Sequence, residues 1–320
     1  MGGATPATAE PLHGRRPAAS GAAAPGAPIP TLPAAEIVEA PPGPGVQLRA
    51  AGLTHPGRVR RENEDALLAR VPDDSALRST RGALFAIADG VGGQAAGEVA
   101  SRTAVEHLER EYFSPRAPHQ TETALSQATV AANLAVHALA HGSNPGLHAM
   151  QTTLTVLVFS GRQLYIAHAG DTRAYLLRAG ALTQLTGDHS EAAEMLRLRL
   201  ITAEQALTHP RRSVLTRALG ATAQLRPDFQ RSALQRGDRF LICTDGLWAD
   251  LPTGELREAL AVHPDSPAAT CELLLATALE RGGSDNVSLY VIDIIDPGAA
   301  APNAPTGRIG RLLSGLRGGG

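Results

Sequence analysis

Residues 152–186 read TTLTVLVFSGRQLYIAHAGDTRAYLLRAGALTQLT, with β-branched or alternating apolar runs at Thr152–Phe159, Leu164–His168 and Ala174–Leu177. Ser160-Gly161-Arg162 separates the first two runs, and Arg178-Ala179-Gly180 follows the third. Short alternating runs closed by glycine-containing turns predict an antiparallel meander. Leu84–Ala88, Arg239–Cys243 and Val287–Ile294 read as further strands. Upstream of the meander, Ala96, Ala100, Ala104, Leu108 and Tyr112 line one face of a helix, and Leu125, Ala128, Ala132, Ala135 and Leu139 line one face of another. Pro252-Thr253 opens a helix over Gly254–Ala261, and Ser266-Pro267 opens one running to Leu279, with Ser266 as N-cap and Pro267 in the first turn. Helices grouped between runs of antiparallel strands imply an α+β fold rather than a wound parallel sheet.

Outside this pattern the composition shifts. Residues 1–45 are dominated by Ala, Pro and Gly and carry few large apolar side chains, so burial cannot offset their ordering entropy, and a disordered tail is expected. A second tail is expected over 297–320, leaving one folded domain over 46–296. Within the second tail, Arg308–Arg317 interleaves arginines with Ile309, Leu312, Leu313 and Leu316; a frayed tail is the expectation, and membrane attachment through it would be weak.

The 29 basic residues are all arginine and face 31 acidic ones, for a net charge of −2, which supplies no field for nucleic acid or an anionic membrane. No stretch approaches the roughly 20 apolar residues of a membrane span. Cys243 and Cys271 form no CxxC, so neither a zinc site nor a disulfide framework is expected, and a cytoplasmic location fits. Cys243 sits in the apolar run Phe240–Cys243, where a buried thiol is the expectation.

Aspartates recur where apolar runs meet turns, at Ala88-Asp89-Gly90, Ala169-Gly170-Asp171, Thr244-Asp245-Gly246 and Ser284-Asp285-Asn286. One Asp-Gly is an ordinary turn; four such sites call for a joint explanation. Were they to converge, carboxylates about 4 Å apart would repel by about 4 kcal/mol at an effective dielectric of 20. Cations relieve that repulsion, and an all-oxygen set favours Mg²⁺ or Mn²⁺ over zinc. Two such ions would activate water for phosphate-ester hydrolysis. In Asp89-Gly90-Val91-Gly92-Gly93 the Gly90 carbonyl is a further candidate ligand. Upstream, Arg58-Val59-Arg60-Arg61-Glu62-Asn63-Glu64-Asp65 sets guanidinium groups beside carboxylates, which reads either as a solvated charge cluster or as a clamp on a phosphoryl group.

With these residues in view, the chain resembles the PPM family, the metal-dependent protein phosphatases of the protein phosphatase 2C type, and especially its compact bacterial members. The resemblance covers about residues 50–295, in order: Gly57–Asp65, Asp89–Gly93, Gln151-Thr152-Thr153, Ala167–Tyr175, Leu185–Ser190, Thr244–Leu247 and Ser284-Asp285-Asn286. It implies a four-layer αββα sandwich of two antiparallel sheets flanked by helices, with a two-metal site between the sheets. Carried over to matching positions, Asp89, the Gly90 carbonyl, Asp245 and Asp285 would hold two Mn²⁺ or Mg²⁺ ions, Glu64 would bind through water, and Arg60 would grip the substrate phosphate. A third metal would involve Asp171 and Ser213. Residues 190–213 match the family's flap, with Glu191–Thr208 expected as a short helical excursion.

The implied activity is hydrolysis of phosphoserine and phosphothreonine in proteins, opposite a Ser/Thr kinase, by a monomer that binds no nucleic acid and makes no stable membrane association. Two other readings are a catalytically silent phosphoprotein-binding module and a hydrolase of small phosphomonoesters. Val91 stands where many eukaryotic relatives have histidine, so protonation of the leaving oxygen falls to water. His55 and Leu200 also depart from frequent family residues. His168 is expected to be packed or hydrogen-bonded, and His189, in Asp188-His189-Ser190, has no assigned role.

Overall fold

The computed structural model describes residues 34–298, apart from 41, 42, 44, 93 and 94. In chain order the strands and helices are β1 (Glu36–Glu39), β2 (Gln47–His55), β3 (Asp65–Arg70), α1 (Ser75–Arg81), β4 (Ala83–Val91), α2 (Ala95–Tyr112), α3 (Thr121–Ala140), β5 (Gln151–Thr152), β6 (Leu154–Ser160), β7 (Gln163–Ala169), β8 (Arg173–Arg178) and β9 (Ala181–Gln184). There follow α4 (Glu191–Arg197), α5 (Ala203–Thr208), β10 (Asp228–Ala233), β11 (Arg239–Cys243), α6 (Asp245–Trp248), α7 (Thr253–Val262), α8 (Pro267–Glu280) and β12 (Val287–Asp296).

One sheet runs β1-β2-β12-β11-β8-β9 and the other β10-β7-β6-β4-β3, with β5 paired to the end of β4. All pairings are antiparallel. The two-residue period of a strand distributes side chains between layers. On β4, Leu84, Ala86 and Ala88 pack with α2 and α3, whereas Ala83, Phe85 and Ile87 face the other sheet. On β12, Val287, Leu289 and Val291 pack with α7 and α8, whereas Tyr290, Ile292 and Ile294 face inward between the sheets. The result is the four-layer αββα sandwich. Edge-to-face contacts bridge the sheets, Phe85 to Tyr290 at 5.4 Å and Phe159 to Phe240 at 5.3 Å between ring centroids.

Three expectations need correcting. The strands of residues 152–186 are not one meander but two hairpins in different sheets, β6–β7 and β8–β9. The chain crosses over at Gly170, whose φ of +114° suits glycine and where a Cβ would lie 2.5 Å from that of Thr153. On α3 the buried stripe runs through Leu125, Ala128, Ala132, Val136 and Ala140, leaving Leu139 39% exposed and Ala135 half-buried. Asn133 joins that buried stripe because its amide bonds Gly220 N–H and the Thr222 carbonyl. β1 pairs with β2 ahead of residue 46, inside the stretch expected to be a tail. Residues 1–33 and 299–320, including the Arg308–Arg317 segment, lie outside the described residues, as does Gly93.

The Ser266 N-cap is present, its side chain accepting the Ala269 N–H at 3.1 Å. Both cysteines are free and buried; burial pushes the Cys271 thiol up to about 12 and the Cys243 thiol higher still, which suppresses thiolate chemistry. Among the described residues no helix is long and apolar enough to cross a membrane.

Candidate active site

Following strand parity to one end of the inter-sheet layer locates the site. On β4 the inward series Ala83, Phe85, Ile87 continues to Asp89, which is 3% exposed. Asp65 is its cross-strand partner on β3 and shares that face. On the opposite sheet, Phe240 and Ile242 lead to Thr244, and Tyr290 leads back to Ser288. The Thr244 hydroxyl donates to Asp65 Oδ2 at 3.1 Å, a bond that ties one sheet to the other. Apolar side chains thus give way, over one or two strand positions, to carboxylates and hydroxyls.

The remaining acidic residues arrive on the loops at this end. Asp245 opens α6, against which the 284–286 turn packs so closely that a Cβ on Gly246 would meet the Asn286 carbonyl at 2.1 Å. Asn286 organises the neighbouring loop: its Oδ1 accepts the Glu64 N–H at 2.8 Å, and its Nδ2 donates to the Pro56 and Glu62 carbonyls, each at 2.9 Å. Asp285 is held by Arg60, whose Nη2 donates to Oδ2 at 2.9 Å. The Gly90 N–H donates to the Glu64 carbonyl at 3.1 Å, and the Glu64 carboxylate lies over Gly97, where a Cβ would come within 2.7 Å of it. The Asp250 carboxyl is pushed up, first by burial and then by Asp245. Among the described residues no three His, Cys, Asp or Glu side chains stand preassembled as a metal cluster.

A second tier supports this rim. The Thr153 hydroxyl accepts the Asp89 N–H at 2.9 Å and lies 2.6 Å from the Thr172 hydroxyl. His168, 1% exposed, bonds the Gly187 carbonyl through Nε2 and the Thr155 hydroxyl through Nδ1. The carbonyl can only accept, so Nε2 carries the proton; burial and the adjacent His189 hold the ring neutral, its pKa lowered to about 3. His189 accepts the Gly170 N–H on Nδ1 and contacts Asp228 through Nε2. Partial burial pushes the Asp228 carboxyl up, but hydrogen bonds from Arg217 and His189 more than offset it and hold Asp228 below its ordinary value.

Beside the rim, residues 190–215 form a loop carrying α4 and α5, closed at its base by the Glu191 N–H to Val214 carbonyl and Thr216 N–H to His189 carbonyl bonds. Leu200 near its tip is 70% exposed. Ser213 lies in the returning limb, and Asp171, 5% exposed, follows the Gly170 crossover.

The structure therefore gathers Arg60, Glu64, Asp89, Gly90, Asp245 and Asp285 at one rim. Sequence reasoning assigned no part to Asp65, Thr153, Thr244 or Asn286. Asp65 and Thr244 were findable from parity, each standing two positions beyond an inward apolar residue. The reach of Asn286 to residues 56–64 had no signal in the chain.

A protein-family model, Protein phosphatase 2C, matches residues 60–279. The chain is 37% identical over 249 residues to the serine/threonine protein phosphatase PstP of Mycobacterium tuberculosis, an overlap of 78% of this chain but 45% of that protein, so the chain spans less than half of that relative's length. It is 32% identical over 249 residues to the serine/threonine phosphatase stp of Listeria innocua, covering 77% of this chain and 96% of that one. Its fold superimposes with a TM-score of 0.68, at 34% identity and over 78% of this chain and 99% of the other, on the catalytic domain of a serine/threonine protein phosphatase PstP solved in complex with two manganese ions.

Proposed function

The chain belongs to the protein phosphatase 2C family, and from that membership we propose that it is a metal-dependent phosphatase acting on phosphoserine and phosphothreonine in proteins. The observation that carries this reading is the arrangement at the polar end of the inter-sheet layer, where Asp65 pairs with Asp89, Thr244 beside Asp245 donates to Asp65, and Arg60 bonds Asp285. The donor set is oxygen only and fits a hard divalent cation. Asp89, the Gly90 carbonyl, Asp245 and Asp285 would hold two Mn²⁺ or Mg²⁺ ions, with Glu64 acting through water and Asp171 and Ser213 serving a third. When bound, the ions supply activation of water and neutralisation of phosphate charge.

The chain's own residues do the rest. Arg60 donates a charge-assisted hydrogen bond to Asp285 and is 39% exposed, so it could exchange that carboxylate for a substrate phosphate, and Asp285 would be among the residues that hold a cation. Thr153 fixes the Asp89 backbone, and Asn286 fixes the loop that carries Arg60 and Glu64. With Val91 where a histidine would stand, the leaving serine or threonine oxygen takes its proton from water. The expected setting is a monomer in the cytoplasm, opposite a Ser/Thr kinase, where Cys243 and Cys271 stay reduced.

The test is phosphate release from matched phosphothreonine and phosphotyrosine peptides with Mn²⁺, Mg²⁺ or chelator, alongside Asp89→Asn and Asp245→Asn. Metal-dependent turnover of the phosphothreonine peptide, lost in both variants, supports the assignment. Folded, metal-supplied protein that binds the peptide without releasing phosphate would point to a binding module instead.

A further inference from the structure

Trp248 is the only tryptophan in the chain, and several segments meet on it. It is the last residue of α6, the one-turn helix that begins at Asp245. Its indole Nε1 donates to the backbone carbonyl of Asp171 at 3.0 Å. The guanidinium of Arg173 covers its ring 3.5 Å from the centroid. Arg173 is itself fixed, its Nε and Nη2 donating to the two carboxylate oxygens of Asp188 at 2.9 and 2.7 Å, with both side chains largely buried. Asp188 adjoins His189, which grips the peptide ahead of Asp171 from the other side: its backbone N–H donates to the Gly170 carbonyl at 2.8 Å and its Nδ1 accepts the Gly170 N–H at 3.2 Å.

Asp171 thus sits on a crossover between sheets, in a turn held by His189 at Gly170, by Trp248 at the Asp171 carbonyl, and by the Thr153 and Thr155 hydroxyls at Thr172. A bidentate arginine stacked on an aromatic face is a rigid mount, because the planar fork loses little freedom on binding. Trp248 and Asp245 lie on the same turn of helix, so the indole N–H ties the Asp171 backbone to the helix that carries Asp245.

We propose that Trp248, mounted on the Arg173–Asp188 pair, is a positioning residue that holds Asp171 in register with Asp245 for divalent-cation binding. The proposal rests on the phosphatase reading above. Trp248 touches neither substrate nor ion; it acts through the Asp171 carbonyl. The same mount reaches the start of the 190–215 loop through Asp188 and His189, so the loop base and the Asp171 turn are held by one set of contacts.

The experiment begins with Mn²⁺ binding to the full chain by titration calorimetry, together with phosphopeptide turnover. A wild-type protein that binds no Mn²⁺ overturns the phosphatase reading and this proposal together. Trp248→Phe removes the N–H and keeps an aromatic face for Arg173. Its weakest Mn²⁺ step is expected to weaken about fivefold, the size of one lost hydrogen bond, and to weaken no further when Trp248→Phe is added to Asp171→Asn. Wild-type Mn²⁺ affinity in Trp248→Phe, or an equal loss whether the change is made in the wild type or in Asp171→Asn, overturns the proposal while leaving the phosphatase reading intact. Should Trp248→Phe not fold, the native indole is the reporter: its emission is expected to change with the weakest Mn²⁺ step in the wild type and not in Asp171→Asn, and an emission unmoved by saturating Mn²⁺ in the wild type would count against the mount.

Discussion

The middle of the inter-sheet layer and its acidic end are built on the same strands and the same faces, two to four residues apart, yet they do opposite things. In the middle, Phe85, Phe159, Phe240 and Tyr290 interlock edge to face and are shielded from water. At the end, Asp89, Thr155, Thr244 and Ser288 follow the apolar residues in the same inward series, and Asp65 lies opposite Asp89. Burial of apolar surface stabilises the first region. The second brings carboxylates to one end, where repulsion between them would be offset by hydroxyls, Arg60 and bound cations. One layer therefore serves as both scaffold and site, and variants in the two regions should separate stability from activity.

The largest expected effect lies in the middle. Phe85→Ala removes a fully buried ring in contact with both sheets and is expected to cost about 3–5 kcal/mol, read as a lowered urea midpoint, while the molecules that remain folded keep their turnover. At the acidic end, Asp89→Asn should do the reverse. Turnover is expected to fall by about 10²–10³-fold, the usual loss when one preorganised electrostatic group is removed, while the urea midpoint of metal-free protein holds or rises as repulsion is relieved. A large loss of stability in Asp89→Asn would show that the two regions are not separable in this way.

Between them stands Thr153→Val, close in shape but without the hydroxyl. It leaves the buried Asp89 N–H and the Thr172 hydroxyl short of a partner and should cost about 1–3 kcal/mol, with turnover reduced as well, because this residue belongs to both regions. The remaining test is pH. His168 titrates near 3 in the folded chain against an ordinary value of 6.5, so between those values the unfolded chain binds the extra proton. Stability is therefore intact above pH 6.5 and lost progressively as the pH falls toward 3. Thermal melts of chelator-treated protein from pH 7.5 to pH 4 should show the decline, and His168→Gln should make it shallower.

Much of this was legible in the chain. The runs at Leu84–Ala88, Arg239–Cys243 and Val287–Ile294 became β4, β11 and β12, since period two and β-branching are local properties. The aspartates at the ends of those runs reached one rim because strand ends converge when sheets stack. β2, β3 and β10 escaped notice. β10 in particular, DFQRSA, is polar and mostly exposed on an edge, so it carries little apolar pattern to read.

The amino-acid sequence by itself determined the alternating faces, the helix cap at Ser266, the two glycine-closed hairpins and the carboxylates at the turns, because each depends on residues within a few positions of one another. Only the tertiary structure decided that the chain changes sheets at Gly170, that Arg60 lies on Asp285, that Asn286 anchors residues 56–64 and that Trp248 holds Asp171. Those contacts join residues far apart along the chain, and they exist only once two complete sheets have packed and brought their ends to the same edge.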